Sequence, residues 1–279
     1  VFPNSKTADT GLLRDMKISL QYEFNSTNSL QRACMFSLGA PFNQICKRWL
    51  EYSDEIICVS ERQRQIVKDA LPQLANKLTT IHNPLPEQAL IKKELSANKP
   101  SILFMGGDSY AKGFDTFLSA SQRILKRGAK VEFNLTRNVN QKNRLMLERL
   151  SQRFDGGYNI FGYLDHSYLL KLQSSSHATL FPSIWEEPLP YAVAESMLSG
   201  TLPIASKVGG VPEMVEGTVA EKLLFNPFDT EECVQRIETV ITMSKEEIID
   251  IGLGLKETLL RKFNHESIKK QLIDTFITY

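Results

Sequence analysis

The chain has 279 residues, of which 42% are hydrophobic and 23% are charged, and its formal net charge is +1. This composition excludes a disordered chain, a collagen-like fibre and a small protein held together by disulfides. It also argues against nucleic acid as a partner, because duplex binding relies on a basic excess that this chain lacks. Because domains commonly hold ~150 residues, the length predicts about two of them.

The four cysteines show no pattern that indicates a metal site or a disulfide framework. No pair has CxxC spacing, and no pair of histidines lies nearby. We therefore expect reduced, buried thiols and a cytoplasmic location. No uncharged apolar run reaches the ~18 residues that a membrane-spanning helix needs, and no signal peptide is visible. The cysteines are Cys34, Cys46, Cys58 and Cys233.

The pattern in the first third of the chain predicts a strand, a long helix, a strand, a helix and a strand, in that order. Their expected ranges are Ile18–Phe24, Asn28–Glu51, Glu55–Val59, Ser60–Leu71 and Leu78–His82. The stretch that follows, from Asn83 to Pro100, is rich in proline and lysine and is typical of a linker.

Beyond the linker, short apolar runs alternate with helical patterns. The run Ser101–Met105 ends in a pair of glycines, which is typical of a buried parallel strand that enters a loop. Apolar residues then recur at helical spacing from Phe114 to Leu125, and Gly128 stops that helix. Later strands are expected at Lys130–Leu135, Tyr158–Phe161, Ala178–Phe181 and Thr201–Ala205, and later helices at Val139–Phe154, Asp165–Gln173 and Pro190–Ser199.

This alternation predicts an α/β fold with a doubly wound parallel sheet, whose ligands bind at the carboxyl ends of the strands. Three helices are expected to close the chain, because capping-box patterns begin at Asp229 and Ser244 and a last helical pattern follows Asn264. The loops expected to hold the chemistry follow Met105, Phe161, Pro182 and Ser206.

The sharpest local signal is the segment from Ser183 to Glu195. Pro190 suits the first turn of a helix, and the free N–H groups of that turn form an anion site that suits a phosphate. Glu187 precedes the helix, and because helical side chains lean toward the N-terminus, its carboxylate and that of Glu195 are expected in one crevice. There they could accept hydrogen bonds from the hydroxyl pairs of a sugar and a ribose. Two glutamates eight residues apart are also common as solvated surface charges, so spacing alone leaves both interpretations open.

Several motifs around this segment resemble those of one protein family. The run Glu187–Glu195, with Gly200–Ser206 and Gly209–Glu213, resembles the Glu-x7-Glu signature of retaining glycosyltransferases of the GT-B fold, specifically family 4, the glycosyl transferases group 1. Further matches in the same order are Gly106–Gly113, Phe161–Tyr163 and Pro182–Ser183, with weaker ones at Ser53–Ser60, Ile81–Pro84 and Phe263–Ser267. The resemblance extends over nearly the whole chain.

The resemblance implies a GT-B architecture, with a doubly wound Rossmann-like C-terminal domain and a partial Rossmann-like N-terminal domain. The expected division is an acceptor-side N-terminal domain over residues 1–86, a nucleotide-sugar donor domain over residues 87–254, and a helical segment over residues 255–279 that packs back on the first domain. The glycine-rich first strand and turn of the family's N-terminal domain are not found, so we expect the front of that domain to be missing.

The resemblance implies a UDP- or GDP-sugar as donor, and neither a cofactor nor a metal. Glu195 would bind the ribose hydroxyls, Glu187 would contact the sugar near the reacting carbon, and Lys112 would neutralise the diphosphate. In the family's usual mechanism this leaving group also takes the proton of the incoming hydroxyl, so negative charge develops where Lys112 acts. Glu187 and Lys112 are therefore the implied catalytic residues. The implied donor-binding residues are Gly106, Gly107, Lys112, Arg137, Phe161, Gly162, Tyr163, Glu187, Leu189, Pro190, Tyr191, Ala192 and Glu195.

One cation of the family pattern is absent from the Lys112 loop. Family members commonly carry an arginine one residue after the first glycine of this loop, where this chain has Gly107. A lost charge-assisted contact costs about 1.5–3 kcal/mol, or roughly ten- to a hundredfold in rate. Arg137 and Lys207 are the two candidates to replace it.

Other positions also differ from the family pattern. The usual Phe-Gly pair after the signature proline is Leu189-Pro190 here, which removes one N–H that could face the donor. His177 replaces a usual aspartate and His265 a common tryptophan, and both are interpreted as surface substitutions. The nearest match to the family's His-Asp-like pair on an N-terminal strand is Tyr22-Glu23.

The helix predicted over Asn28–Glu51 carries many apolar side chains beside basic ones. Packing in a core is the simpler interpretation, and a helix that faces a membrane and serves lipid-linked acceptors is the functional one. The apolar residues are Phe36, Leu38, Phe42, Ile45, Trp49 and Leu50, and the basic residues are Arg32, Lys47 and Arg48.

Two classes of function follow from the resemblance. The first is an active retaining glycosyltransferase that moves a sugar to a glycan, a lipid-linked acceptor or another hydroxyl, in the cytoplasm or at the periphery of a membrane. The second is a non-catalytic nucleotide-sugar-binding or accessory subunit, whose cleft a partner chain or an oligomer completes. An exposed apolar face on the N-terminal segment would favour the second. An epimerase of the same fold is disfavoured, because the glutamate signature and the Lys112 loop fit a transferase better.

Overall fold

Helices and a two-stranded parallel sheet form the N-terminal part of the molecule. The computed structural model describes residues 12–39, 42, 49–86, 93–95, 99–155 and 157–277. The N-terminal elements are α1 (Leu12–Thr27), α2 (Leu30–Leu38), β1 (Ile56–Cys58), α3 (Glu61–Ala70) and β2 (Leu78–Thr80), with short 3-10 helices at Leu50–Tyr52 and Pro72–Lys77. The last three predicted elements of this part are therefore confirmed.

The strand predicted at Ile18–Phe24 is wrong, because this segment lies within α1. Alternating apolar residues favour a strand, but a strand needs a neighbour to pair its backbone groups, whereas a helix pairs them internally. β1 and β2 pair with each other, and α1 packs on α2. Asn28, with a φ of 53°, turns the chain, and the hydroxyl of Ser29 caps α2 by accepting a hydrogen bond from the N–H of Arg32 at 3.3 Å. Tyr22-Glu23 therefore lies on a helix and not on a strand.

The single helix predicted over Asn28–Glu51 is wrong in extent. α2 ends at Leu38, and the N–H of the next residue, Gly39, donates to the carbonyl of Phe36 at 3.0 Å. Glycine is common where helices end. Ile45, Lys47 and Arg48 lie outside the described residues.

The large apolar side chains described in this region are exposed, so the interpretation that they pack in a core is wrong for most of them. Phe36 is 46% exposed, Leu38 71%, Phe42 70% and Trp49 64%, whereas Leu50 is half-buried. The buried residues of α2 are small, Ala33 and Ser37, and the hydroxyl of Ser37 donates to the carbonyl of Met16 in α1 at 2.8 Å. Because these small residues take the side that faces α1, the larger apolar side chains point to solvent. Membrane contact by this surface stays a prediction.

Six parallel strands form the sheet of the C-terminal part. They are β3 (Ser101–Phe104), β4 (Glu132–Thr136), β5 (Tyr158–Gly162), β6 (Ala178–Phe181), β7 (Leu202–Ser206) and β8 (Leu224–Phe225). Their order across the sheet is β5-β4-β3-β6-β7-β8, so the chain builds one side outward from β3 and then returns to build the other side from β6. This is the order of doubly wound Rossmann-like sheets, and it confirms the predicted α/β fold.

Helices alternate with these strands and then close the chain. They are α4 (Phe114–Lys126), α5 (Gln141–Arg153), α6 (His166–Ser175), α7 (Tyr191–Leu198), α8 (Val211–Val215), α9 (Thr230–Ile241), α10 (Lys245–Lys262) and α11 (His265–Ile277). The predicted capping box is confirmed at α10, where the N–H of Glu247 donates to the hydroxyl of Ser244 at 3.1 Å and the N–H of Ser244 donates to the carboxylate of Glu247 at 2.7 Å. The prediction missed α8, β8 and the 3-10 helix Val219–Leu223, because elements this short carry little periodicity.

Both faces of the parallel sheet are buried, because the helices that connect its strands cover them. All four residues of β3 and all four of β6 are buried. Phe104 stacks on Phe117 of α4 with ring centroids 4.5 Å apart, and Tyr158 meets Phe117 edge-on at 6.3 Å. The Tyr158 hydroxyl hydrogen-bonds with that of Ser121 at 2.8 Å, and burial raises the pKa of Tyr158 to about 12. These contacts form one part of a core that extends over both faces of the sheet, from the β3–α4 layer to buried residues of α7, α9 and α10.

His177 is buried, so its interpretation as a surface substitution is wrong. It is 4% exposed, and its Nδ1 accepts a hydrogen bond from the N–H of Ser101 at 3.1 Å, where β3 begins. Burial, supported by the positive charges of Lys93 and Lys245, lowers the pKa of His177 to about 4. The imidazole is thus a neutral acceptor at the amino edge of the sheet, away from the carboxyl ends of the strands. His265 is exposed, as predicted.

The described cysteines differ in their burial. Cys58 and Cys233 are buried, as predicted, and burial raises the pKa of both thiols. Cys34 is exposed, contrary to the prediction, because the preceding residue, Ala33, occupies the side of α2 that faces α1. Cys46 lies outside the described residues. Within the described ranges, no helix is long and apolar enough to cross a bilayer, and no three or more His, Cys, Asp or Glu residues are grouped so that they could hold a metal ion.

Candidate active site

Two loops meet where the order of the sheet reverses, between β3 and β6. The first loop leads from β3 to α4, and the second leads from β6 to α7. The carbonyl of Ala111 in the first loop accepts hydrogen bonds from the N–H of Ile184 at 3.0 Å and from the buried hydroxyl of Ser183 at 3.1 Å. In a doubly wound sheet, ligands bind in the crevice at this point.

Lys112 and Glu187 form an ion pair that joins the two loops. Lys112 Nζ donates to Glu187 Oε1, and the hydroxyl of Ser183 lies 3.5 Å from the same oxygen. The Glu187 side chain is 17% exposed and that of Lys112 is 39% exposed. The structure therefore brings the two residues expected to be catalytic together at the mouth of the crevice, where partial burial strengthens charge interactions.

The loop after β7 holds the backbone of Glu187. The N–H of Gly210 donates to the Glu187 carbonyl at 3.0 Å, and the N–H of Gly209 donates to the carboxylate of Glu186 at 2.7 Å. Gly209 has a φ of 50°, and a β-carbon added to it would lie 1.6 Å from the Glu187 carbonyl oxygen. Only glycine allows this close approach, which accounts for the Gly-Gly pair at the start of the segment Gly209–Glu213.

A pocket opens beside Lys112 at the carboxyl ends of β3 and β6. Tyr191 and Ala192, in the first turn of α7, and Glu195 in its second turn all line it. Because the first N–H groups of a helix have no partner within the helix, this turn presents donors and the positive end of the helix dipole. Pro190 is the N-cap residue and supplies no N–H. The lining residues are Phe104, Met105, Gly106, Lys112, Arg137, Leu169, Leu180, Phe181, Pro182, Tyr191, Ala192 and Glu195.

A second pocket adjoins the first and shares Arg137, Leu169 and Glu195 with it. Glu195 therefore faces both pockets, and His166 Nε2 lies 3.4 Å from Glu195 Oε1. Sequence reasoning missed His166, the first residue of α6, which directly follows the loop after β5 that was expected to hold chemistry. That location is the signal that could have found it. The second pocket is lined by Thr136, Arg137, Tyr163, Leu164, His166, Leu169 and Glu195.

Arg137 lies between the two pockets in a strained backbone conformation. Its φ of 72° falls in the left-handed region that residues other than glycine rarely adopt, and its N–H donates to the carbonyl of Gly162 at 2.5 Å. Such strain concentrates at functional sites. Lys207, the other candidate to replace the missing arginine, is exposed and lines neither of these two pockets. Of the two candidates, Arg137 is therefore the one positioned to meet a ligand.

The remaining residues expected to bind the donor take different positions. A β-carbon on Gly107 would lie 2.5 Å from the carbonyl oxygen of Asn138, so an arginine at this position would require the backbone to shift. Phe161, in β5, is 37% exposed, and Tyr163 is 81% exposed and lines the second pocket. Leu189 is half-buried and lines neither of the two pockets.

Glu213 connects the N-terminal part of the molecule to this crevice. Its carboxylate accepts hydrogen bonds from the N–H groups of Glu61 at 2.9 Å and Arg62 at 2.7 Å, in the first turn of α3. Burial raises the pKa of Glu213, but hydrogen bonds from His82 and from these two backbone groups outweigh burial and hold the pKa below its usual value. The negative charge lies at the positive end of the α3 dipole, which stabilises both.

Glu186 makes a second connection, next to Glu187. Arg62 donates to the Glu186 carboxylate at 2.8 Å, and this hydrogen bond raises the pKa of the guanidinium. Sequence reasoning missed both connections, because neither Arg62 nor Glu186 belongs to a spacing pattern. Glu213 ends the segment Gly209–Glu213, which matches the family pattern, and this match was the sequence signal that could have indicated its connection to the N-terminal part.

Sequence comparison finds relatives whose names describe enzymes that act on sugars. The chain is 22% identical over 251 residues to alpha-maltose-1-phosphate synthase from Mycolicibacterium smegmatis, a match that covers 81% of this chain and 64% of that protein. It is 24% identical over 183 residues to a glycogen synthase from Thermodesulfovibrio yellowstonii, covering 65% of this chain and 35% of that protein. The chain thus spans less than two thirds of the length of these relatives.

Solved structures share the fold. Sucrose-phosphate synthase from Thermosynechococcus elongatus superposes with a TM-score of 0.69 at 21% identity, covering 93% of this chain and 65% of that one. HepE from Anabaena, solved with UDP-glucose, gives a TM-score of 0.65 at 20% identity, covering 81% and 64%. These are GT-B proteins, so the predicted GT-B fold is confirmed. The family described as glycosyl transferases group 1 matches residues 87–248, more than half of the chain, and the protein therefore belongs to that family.

Proposed function

We propose that the protein is a retaining glycosyltransferase that moves a sugar from a UDP- or GDP-sugar to a hydroxyl acceptor, such as a glycan or a lipid-linked saccharide. The observation that carries the proposal is the ion pair of Lys112 and Glu187 in the crevice between β3 and β6, beside a pocket that Glu195 lines. Family membership and the UDP-glucose bound to HepE support a nucleotide-sugar donor.

In the proposed complex the nucleotide spans the two adjoining pockets. Glu195 faces both pockets, which suits a carboxylate that accepts hydrogen bonds from the ribose hydroxyls between the base and the diphosphate. The base then lies in the second pocket near Tyr163, with Phe161 and Gly162 at the adjacent end of β5. The diphosphate lies beside Lys112, in the first pocket.

Positive groups converge on the proposed diphosphate position from three directions. Lys112 and Arg137 both line the first pocket, and the N–H groups at the start of α7 open into it. Gly106 lines the same pocket without a side chain, so the backbone can approach a phosphate closely. In the proposed reaction these groups supply the positive charge that a metal ion could otherwise supply at the diphosphate, and we propose that neither a metal ion nor a cofactor takes part.

In the proposed reaction the bond between the anomeric carbon and a diphosphate oxygen breaks. The acceptor oxygen bonds to the same carbon from the same face, and its proton passes to the departing phosphate oxygen. Lys112 stabilises the negative charge that develops on the phosphate, and the Glu187 carboxylate stabilises the positive charge that develops at the carbon. The anomeric configuration is retained.

Thermal unfolding in the presence of a panel of UDP- and GDP-sugars tests the donor. A donor at a hundred times its Kd should stabilise the folded protein by ~2.7 kcal/mol. A panel in which no nucleotide sugar raises the Tm would overturn donor binding.

Point variants test the chemistry. Glu187→Gln should lower donor hydrolysis and sugar transfer at least about a hundredfold, because it removes the carboxylate charge where electrostatic stabilisation is largest, while nucleotide binding persists. Glu231→Gln is a matched control, since its exposed carboxylate pairs with Arg123 and Arg127 on a distant surface. NMR of the product tests retention, and an inverted anomer would contradict the proposed stereochemistry.

One observation favours the second candidate function, an accessory subunit that needs a partner chain. Apolar side chains of α2 are exposed, among them Leu30 at 62% and Met35 at 64%, and a partner chain could cover them. Under this alternative a nucleotide sugar still raises the Tm, but neither hydrolysis nor transfer appears until a second chain is added. Activity of the protein alone would exclude it.

A further inference from the structure

Three aromatic side chains cluster between α1 and the two loops of the crevice. The ring centroid of Tyr22, in α1, lies 6.1 Å from that of Tyr110 and 6.1 Å from that of Trp185, and both pairs are tilted by 52°. The Tyr110 hydroxyl accepts a hydrogen bond from the side-chain amide of Asn25, one turn further along α1, at 3.1 Å. All three rings are half-buried, so part of each stays open to solvent.

The cluster lies beside the ion pair and outside the two pockets. Tyr110 precedes Lys112 by two residues, and Trp185 precedes Glu187 by two residues, so each loop carries one ring and one charged partner. The loops are fixed to each other in this short stretch, because the N–H of Ile184 donates to the carbonyl of Ala111 at 3.0 Å. None of the three rings lines either pocket. The three rings therefore lie outside both donor pockets, and two of them lie two residues from the partners of the ion pair.

The chemistry of the cluster fits a sugar ring. A pyranose has an apolar C–H face and a rim of hydroxyl groups, and aromatic side chains offer it a flat apolar surface with a polar edge. Tilted rings do not cover one another as a parallel stack does, so they form an angled surface. The hydroxyl of Tyr22 and the amide of Asn25 are suited to the hydroxyl rim.

We propose that Tyr22, Tyr110 and Trp185 form the acceptor platform, which binds a pyranose ring of the acceptor by stacking and aims one of its hydroxyls at the sugar carbon beside Glu187. The proposal rests on the proposed transferase function and names the acceptor class of that same site. The alternative is that the rings only pack α1 against the loops.

Tryptophan fluorescence tests binding to the platform without any donor. The chain has two tryptophans, so in a Trp49→Phe variant Trp185 alone reports. The probes are the methyl glycosides of glucose, galactose, mannose and N-acetylglucosamine, with sorbitol as a control that has hydroxyls but no ring. At least one glycoside should change the Trp185 emission in a saturable way, and sorbitol should not. No response to any glycoside, or an equal response to sorbitol, would overturn the proposal.

Kinetics separate an acceptor platform from a packing contact. Tyr22→Leu should raise the acceptor KM by about tenfold, while the donor KM and the rate of donor hydrolysis stay within twofold of the parent protein. Tyr52→Leu is the matched control, because Tyr52 is 87% exposed and belongs to a different element. If Tyr22→Leu changes donor hydrolysis as much as transfer, or changes neither, the platform assignment is wrong.

The two experiments distinguish failure of the inference from failure of the proposed function. Glycoside binding at Trp185 in a protein that neither binds nucleotide sugars nor transfers them would leave the platform standing without the transferase. Conversely, transfer activity without a fluorescence response and without a change in acceptor KM would leave the transferase standing and remove the platform.

Discussion

The carbonyl oxygen of Glu187 lies 1.6 Å from where a β-carbon on Gly209 would be. Gly209→Ala must therefore displace the loop that carries Glu187. The φ of 50° at position 209 adds backbone strain in the alanine variant. We expect this variant to lose at least about 2 kcal/mol of unfolding free energy and most of its transferase activity. Urea unfolding and an activity assay on the same preparation measure the two effects.

Gly128→Ala is the matched control for this substitution. Gly128 also has a left-handed backbone, with a φ of 83°, but no atom lies within 4 Å of the position of an added β-carbon. It should cost about 1 kcal/mol through backbone strain alone and leave activity unchanged. Equal losses of activity in the two variants would refute the role of Gly209 in holding Glu187.

Substitutions of Arg137 and Lys207 are expected to change donor affinity to different extents. Arg137 lines both pockets, whereas Lys207 is exposed and lines neither of them. Arg137→Gln removes a charge-assisted contact and should raise the Kd of a nucleotide sugar by about ten- to a hundredfold, while Lys207→Gln should change it less than threefold. Isothermal titration calorimetry compares the two. A larger effect at Lys207 would show that the missing arginine is replaced from the loop after β7 instead.

The contact between Arg62 and Glu186 should contribute measurably to stability. The Arg62 side chain is 35% exposed and that of Glu186 is 13% exposed, so solvent screens the pair only in part. A double-mutant cycle with Arg62→Gln and Glu186→Gln should give a coupling energy of about 1 kcal/mol. The exposed pair of Arg64 and Glu61 is the internal comparison and should give about 0.3 kcal/mol or less. A coupling at Arg62 no larger than this comparison would contradict the prediction.

His177 should make stability depend on pH below neutrality. The pKa of His177 is lowered by burial from 6.5 to about 4, so the folded protein keeps this imidazole neutral while the unfolded chain protonates it. The stability that depends on neutral His177 is fully present above pH 6.5. As the pH falls toward about 4, the free energy of unfolding decreases for this reason by at most about 3 kcal/mol. Urea unfolding at intervals between pH 7 and 4 measures it.

His177→Asn separates this effect from the titration of the acids. The asparagine amide oxygen can accept the hydrogen bond from the Ser101 N–H that Nδ1 accepts now, and it does not titrate in this range. The variant should lose less stability than the parent between pH 6.5 and 4. Parallel stability curves for the two proteins would exclude His177 as the cause.

The C-terminal half of the fold could be predicted from sequence because its signals are local and redundant. β3 and β6 appear as short apolar runs that end at glycine or proline, and the capping box at Ser244 gives the start of α10 directly. α1 could not be predicted in the same way. Its apolar residues alternate as in a strand, but the segment forms a helix that packs on α2, and this tertiary contact is not visible in a local pattern.

The candidate site likewise contains some residues that could be predicted from the sequence and others that could not. The sequence places Lys112 and Glu187 in the loops after Met105 and Pro182, which are expected to hold the chemistry of a doubly wound sheet. The catalytic role of both residues is implied by the family resemblance. His166, Arg62 and Tyr22 belong to no motif, and they reach the crevice only because α6, α3 and α1 pack where they do. For His177 the sequence-based prediction was wrong, because a polar residue outside a motif was assigned to the surface. In the structure its ring nitrogen is buried and accepts a hydrogen bond from the backbone at the start of β3.

Glu186 has one further consequence for how the molecule can move. Its carboxylate binds both Arg62 in α3 and the N–H of Gly209, and the next residue in the chain is Glu187. Any rotation that swings α3 away from the sheet must break the Arg62 contact, together with the contacts between Glu213 and the first turn of α3, and so release one of the constraints on the neighbouring glutamate. A movement of α3 is therefore mechanically linked to the position of Glu187.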